Sequence, residues 1–352
     1  MTAVAPTNPD LRFARPLPAA GRAGPPPRRK LQTPRPDRLP VPAHELHGGK
    51  VDGALLSRAV WEEPLLAACE YVREYEAAQG LSNPHHPTPC VGLAEAMPET
   101  ALYVARAGDE ILGVQRVVVE NETVELPSSR SFALELRSLR GRARRLCEAS
   151  PPATAPEFQK SDLLFEFVRC SVAHCITLCC TDLITAVEPW DVERYAAMGF
   201  RACGKPRILS RMSPFPAVLM AMRVDALAGV DEPSGAAAEQ TAASLRDAYA
   251  GRNPYRSFVK VWTDLAEGAF DDAVFLGEVF ARRGRLLSRY GPRTLQAVRR
   301  RWGARLFDQV FGPSATSQFR ADTSAPQFST AASADSIDDG SLDTQMVFNE
   351  RG

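Results

Sequence analysis

The sequence lacks any uninterrupted apolar run approaching the roughly 20 residues that a membrane-spanning helix requires. Near the N-terminus there are arginines and prolines but no apolar signal-peptide core, so export is not expected. The eight cysteines contain no C-x2-C pair, which argues against a zinc ribbon or finger. Without an export signal they read as reduced thiols, and the chain reads as cytoplasmic. Nor is there an excess of charge of either sign. The 42 basic and 42 acidic residues cancel, so no overall field selects a nucleic acid or any other partner.

What is present suits a soluble protein with a substantial core: 352 residues, 45% of them hydrophobic and 24% charged. The composition divides the chain. Residues 1–50 are rich in Pro, Arg and Ala ("GPPPRRKLQTPRPDRLPVP"), and residues 314–352 in Ser, Thr, Ala and Asp. Neither stretch offers enough apolar surface to offset its ordering entropy, so both are expected to be disordered tails. Between them the periodicity alternates. Leu65, Leu66, Cys69, Val72 and Tyr75 recur at helical spacing over Glu62 to Gln79. "LYVARAGDEILGVQRVVVE" (Leu102 to Glu120) reads as a hairpin turning at Gly108, and Ala143 to Ala149 as a short strand. A helix capped by Ser161 or Asp162 follows, with Leu164, Phe167, Val168, Ser171, Val172, Cys175 and Cys179 on its apolar face. "DLITAVE" is a buried strand, "WDVERYAAM" a short helix, and "RILSRM" and "PAVLMAMRV" two further strands. Strands bracketing helices predict a mixed α/β domain over 55–228. Residues 235–311 read as helix only.

Tyr195 stands four residues ahead of Gly199-Phe200, directly after the strand that ends in Val187-Glu188-Pro189. With the hairpin segment "GDEILG" (Gly108 to Gly113), this ordered set resembles the GNAT (Gcn5-related N-acetyltransferase-like) acyltransferase fold. The segment "RRLCEAS" (Arg144 to Ser150) resembles the Glu-x-Ser strand of the N-acyl amino acid synthases, such as those making N-acyl-tyrosine. These are relatives of the acyl-homoserine-lactone autoinducer synthases. The resemblance covers about half of the chain and leaves the C-terminal helices and tails outside. It implies a mostly antiparallel sheet with flanking helices, in which two central strands, here near 144–149 and 182–187, splay apart. It also implies transfer of a medium or long acyl chain from a thioester to an amino group, such as that of an amino acid. One departure is evident. CoA-using members cradle pyrophosphate on a Gly-rich loop at a helix N-terminus, whereas the corresponding stretch here, "PPATAPEFQKSD", has no glycine. This is compatible with an acyl-carrier-protein donor. No metal or redox cofactor is implied; the thioester of carrier protein or CoA is a co-substrate.

Aminolysis of a thioester needs a base for the amine, donors for the oxyanion and an acid for the departing thiolate. Glu148 is the candidate base, although an ion pair with Arg142, Arg144 or Arg145 would equally account for a strand-edge glutamate. Tyr195 is the candidate acid, against a purely packing role in its helix. Arg144, Arg145, Ser150, Glu188 and Trp190 are candidate substrate-binding residues; Glu188 could also serve only as a turn residue and Trp190 only in packing. His174 with Cys170, Cys175 and Cys179 has the look of a metal cluster but reads better as a small-residue core face. His85 and His86 lie in a Pro-rich loop.

Two arginine runs remain: Arg137 to Arg145, and Ala281 to Arg305, whose helix carries Leu295, Val298, Trp302 and Leu306 as an apolar stripe. Arg299, Arg300 and Arg301 are candidate docking residues for an acidic carrier protein. A solvated helical face and a membrane-surface contact are the alternatives. No nucleic-acid motif accompanies them. The rival to an enzyme is a non-catalytic GNAT-like interaction module.

Overall fold

The computed structural model describes residues 41–47, 49–79, 91–159, 161–209, 216–227 and 243–312. His85 and His86, most of both expected tails, and residues 228–242 lie outside these. The sheet strands are β1 (His44–Glu45), β2 (Leu55–Arg58), β3 (Ala101–Ala107), β4 (Glu110–Val119), β5 (Leu146–Ala149), β6 (Ala153–Thr154), β7 (Asp182–Val187), β8 (Arg201–Ala202), β9 (Arg207–Ile208) and β10 (Pro216–Arg223). They run in the order β1-β2-β3-β4-β5-β7-β10-β8, with β6 on β4 and β9 on β10. The helices threaded between them are α1 (Glu62–Ala78), α2 (Ala133–Arg140), α3 (Leu163–Thr177), α4 (Val192–Ala197) and α5 (Val224–Leu227). The predicted mixed, mostly antiparallel α/β fold is the one observed. Gly108 turns the hairpin with φ +57°.

The strand pair β1–β2 begins inside the segment expected to be a disordered tail. His44 and Glu45 pair with Leu56 and Leu55, and Leu46 is buried. Two paired residues are too few to show an alternation in sequence. The two-residue β6 and β8 escaped the periodicity for the same reason, and the eight-residue α2 was not foreseen either. In α3 the expected face is buried from Leu164 to Cys175, but the helix stops at Thr177, which leaves Cys179 beyond it and exposed.

Every strand pairing is antiparallel except that of β5 with β7, which is parallel over three residues: Leu146↔Asp182, Cys147↔Leu183 and Glu148↔Ile184. There the two strands part. The chain after Glu148 stays with β4: Ala149 faces Val117, the Ser150 N–H donates to the Arg116 carbonyl at 2.9 Å, and β6 pairs with Gly113 and Val114. Residues Thr185 to Val187 of β7 pair with β10 instead. The result is the V-shaped splay expected between these segments.

Alternate residues feed two cores. Leu146, Val118 and Ile184 point to the α1 and α2 side; Cys147, Ala149, Leu183 and Val187 join α3 on the other. The C-terminal segment is helical, as read from the sequence: α6 (Tyr255–Ala269), α7 (Ala273–Leu276) running into a π-helical stretch at Gly277–Arg283, α8 (Leu286–Arg289), α9 (Pro292–Trp302) and α10 (Ala304–Phe311). It is not a separate extension, however. Trp262 of α6 packs its ring 5.7 Å from Tyr103 and donates its indole N–H to the Pro42 carbonyl at 2.6 Å. Trp302 donates to the Ala96 carbonyl at 2.8 Å, and with Phe275, Phe280 and Phe307 it completes the core over α1. Among the described residues no helix is long and apolar enough to cross a membrane.

Candidate active site

Glu148 is the last residue of β5 paired with β7, so it stands where the V opens. Its side chain is only 4% exposed. None of the nearby arginines reaches it. Its Oε2 instead accepts two hydrogen bonds from Ser128, one from the backbone N–H at 3.0 Å and one from the hydroxyl at 2.8 Å. Burial pushes the carboxyl up to about 7, while the Ser128 bonds hold it back from rising further. A carboxyl poised near neutrality suits a general base. Ser128 went unnoticed in the sequence because it lies twenty residues upstream in an irregular loop, without periodicity or motif.

Tyr195 of α4 is 3% exposed and sets its ring edge-on against Phe200, with centroids 5.4 Å apart. The intervening Gly199 has φ +95°, a conformation that side chains rarely adopt. An added Cβ there would come within 2.9 Å of Leu245. The Tyr-x-x-x-Gly-Phe spacing therefore folds Phe200 back beneath the tyrosine. The phenol approaches Thr185 of β7, whose buried hydroxyl has no hydrogen-bond partner among the described residues. Burial drives the phenol pKa upward, so it stays a protonated donor. Glu148 and Tyr195 do not share a face of the sheet. Glu148 lies with Leu146 and Ile184 on the α1 side, and Tyr195 packs with Cys147, Leu183 and Phe200 on the α3 side. The two flank the opening from opposite faces rather than lining one wall.

The remaining candidates divide. Arg144 is committed elsewhere: its guanidinium forks between Asp182 and Asp225, with contacts of 2.9 to 3.0 Å to Asp225. These carboxylates raise its pKa; Asp225, which burial alone would raise, is drawn down to about 2 by Arg223 and Arg144. Arg144 therefore clamps the closed end of the V and is not free to bind substrate. Arg145 is exposed, and its backbone N–H and carbonyl are both bonded to Thr181. The Ser150 hydroxyl accepts the Arg116 N–H at 3.2 Å and thereby fixes the strand after the splay. Glu188 is half-buried at the open end; burial and the neighbouring Asp191 raise its carboxyl pKa, and the Trp190 indole donates to it. Trp190 itself is 53% exposed. Tyr75 of α1 comes close enough to feel both Glu188 and Asp191.

His174 is held within the core: Nδ1 pairs with the Tyr103 hydroxyl at 2.8 Å and Nε2 with the Glu99 carbonyl at 2.9 Å. A carbonyl can only accept, so Nε2 carries the proton and Nδ1 receives the phenol's. Burial lowers its pKa to about 4. Among the described residues no group of His, Cys, Asp and Glu is placed to hold a metal ion. Arg299 pairs with Asp308 at 3.1 Å and Arg301 with Glu99 at 2.7 Å, so two of the three expected docking arginines are spent within the fold; Arg300 is exposed.

The splayed sheet, with a carboxylate at its apex and a tyrosine on its other face, has the layout that the resemblance to the GNAT acyltransferase fold implies. The family model described as N-acyl amino acid synthase FeeM matches residues 72–223, from within α1 to the last residue of β10. That match spans less than half of the chain and leaves the C-terminal helices outside. No curated protein matches the chain. Among solved structures the chain is similar to FeeM, an N-acyl amino acid synthase from uncultured soil microbes. The identity is 20%, over 49% of this chain and 91% of that one, with a TM-score of 0.41. It is also similar to a putative acetyltransferase of the GNAT family from Desulfovibrio desulfuricans, at 15% identity over 49% and 99% of the two chains, TM-score 0.31. Nourseothricin acetyltransferase is 16% identical over 36% and 66%, TM-score 0.28.

Proposed function

We propose that the chain transfers a medium or long acyl group from a carrier-protein thioester to the amino group of a small acceptor such as an amino acid. The observation that supports this most is the Ser128–Glu148 pair at the apex of the splay. In this reading Glu148 takes a proton from the acceptor's ammonium, and the freed amine attacks the thioester carbonyl from the α1 face. The carbon–sulfur bond breaks as the tetrahedral intermediate collapses. Tyr195, on the opposite face, gives its proton to the leaving thiolate and is reprotonated from solvent; the attacking nitrogen loses its second proton to solvent as the amide forms, and Glu148 releases the proton it took, so that one proton leaves per turnover. In the same reading the half-buried Glu188 holds the acceptor ammonium at the open end of the V.

The choice of donor rests on the N-terminus of α3. The chain entering that helix has prolines at 151, 152 and 156, which carry no N–H. Its carbonyls at Gln159 and Ser161 accept hydrogen bonds from Arg194 of α4. Asp162 already occupies the N-cap position. A carboxylate at a helix N-terminus opposes a second anion such as pyrophosphate. Mass spectrometry of lipids from cells producing the chain, beside cells producing the Glu148→Gln variant, tests the activity. New N-acyl amino acids are expected from the first only. Their absence from both would leave a GNAT-like fold acting through interaction alone.

A further inference from the structure

Three large aliphatic side chains are exposed together on one side of the molecule: Leu134 at 63%, Ile208 at 52% and Leu209 at 39%. Single exposed hydrophobics are ordinary; a contiguous group is not. These three are brought together by specific bonds. The Ser131 hydroxyl donates to the carbonyls of both Ile208 and Leu209, at 3.1 and 3.0 Å. Glu135, next to Leu134, receives the Arg207 guanidinium at 2.7 Å. The start of α2 is thereby fastened to β9. Around the patch stand Arg130, Arg137 and Lys205, all exposed and with no ion pair among the described residues. Arg137 is one turn along α2 from Leu134, and Lys205 follows Gly204, which abuts the Glu135 side chain. The nearby carboxylates are either engaged, Glu135 by Arg207 and Glu120 by Arg140, or set apart in the loop before α2, as are Glu122 and Glu125.

We infer that this surface is the docking site of the acyl-carrying protein, whose complementary face must present an apolar stripe flanked by carboxylates. The inference rests on the donor reading above and gives it a location. Two features favour this place over the C-terminal arginines. Of Arg299, Arg300 and Arg301, two are paired within the fold, whereas these cations have no ion pair among the described residues. The patch also lies on the outside of the turn whose inside holds the candidate base: Ser128 bonds Glu148 and Ser131 bonds β9, with the Ser131 and Phe132 N–H groups closing the turn onto the Ser128 carbonyl. β9 pairs with the Pro216 end of β10, which is the end that lies beside Val187 at the open mouth of the V. A partner seated here would sit over the mouth.

The test compares turnover of the full chain with two donors bearing the same acyl group, a purified acidic acyl carrier protein and the acyl-CoA. The variants are the triple reversal Arg130→Glu, Arg137→Glu and Lys205→Glu, the pair Leu134→Ser and Ile208→Ser, and Arg300→Glu. With the carrier-protein donor, kcat/KM is expected to fall by roughly tenfold or more in the triple variant, because surface charges act mainly on encounter. The fall should shrink with salt, since screening is effective beyond about 8 Å at physiological ionic strength. The Leu134/Ile208 variant should lose carrier-protein turnover without that salt dependence, and Arg300→Glu should match the parent. Residual turnover of acyl-CoA should be the same in all. Undiminished use of carrier protein by both patch variants overturns the docking surface and leaves the donor reading standing. Failure of the parent chain itself to use the carrier protein while using acyl-CoA overturns both. Equal losses with the two donors point to damaged folding and overturn the surface, as does patch-dependent binding to anionic lipid vesicles without any change in carrier-protein turnover.

Discussion

Both hydrogen-bond donors of Ser128 fall on the same carboxylate oxygen of Glu148, although the two residues are twenty positions apart. One oxygen is thus engaged by the loop, and the carboxyl is kept ionisable near neutrality despite its burial.

The pH dependence follows from this pair. The base must be deprotonated, so kcat/KM is expected to rise with pH through about 7 and then level. Ser128→Ala removes the hydroxyl bond, one of the two that favour the charged form, and keeps the backbone N–H bond, so its rise should be displaced modestly to higher pH. A pH–rate profile of the two proteins checks this, and an unshifted profile would remove Ser128 from the site.

Glu148→Gln should separate activity from stability. Turnover is expected to drop by about 10²-fold or more. The folded carboxyl binds its proton more tightly than the usual value of 4.5, so its contribution to stability is present below that pH and is lost as pH rises through about 7. The glutamine variant should therefore match the parent near pH 4 and exceed it at pH 8. The gain would be at most about 3 kcal/mol, at 1.36 kcal/mol per pKa unit. Urea unfolding at the two pH values measures it.

Tyr195→Phe retains the edge-on contact with Phe200 and deletes only the phenol. If the phenol protonates the thiolate, the chemical step should slow by roughly 10²-fold with the thermal midpoint nearly unchanged. Single-turnover kinetics give the first quantity and a melting curve the second; an unchanged rate would leave Tyr195 a packing residue.

Arg144→Met would leave the Asp182 carboxylate buried without its guanidinium. Breaking such a pair costs about 3–5 kcal/mol, and adding Asp182→Asn should restore part of it by removing the stranded charge. A double-mutant cycle in urea resolves the coupling, and additive losses would show that the clamp holds nothing.

Much of this was readable in the sequence because the long elements have clear periods. The hairpin, α1, α3, β7 and β10 all declare themselves through apolar spacing. Glu148 and Tyr195 could be singled out because the segments that carry them resemble the Glu-x-Ser strand and the Tyr-x-x-x-Gly-Phe unit of the GNAT fold. What could not be read was which face each residue takes. Strand alternation assigns Glu148 to a core only once the register of β5 against its neighbours is known, and register is a property of pairing, not of either strand alone; the face of Tyr195 depends on which side of the sheet α4 packs. Arg144 misled for a related reason. Its partners Asp182 and Asp225 are 38 and 81 residues away, so nothing local separates a clamp from a free cation. The C-terminal aromatics looked like the stripe of an independent bundle because a helix's apolar face does not say what covers it.

The indole of Trp262, bonded to the carbonyl of Pro42, ties together residues 220 positions apart. On a ribosome adding about 5–20 residues per second, the partner of Pro42 is not made until roughly 10–40 s after it. Until then the face carrying Tyr103 has no α6 to cover it. The sheet must therefore wait, with one apolar side open, for a helix outside the family-matched segment. A chain interrupted after β10 would contain every proposed reacting group and still be unable to close its own core.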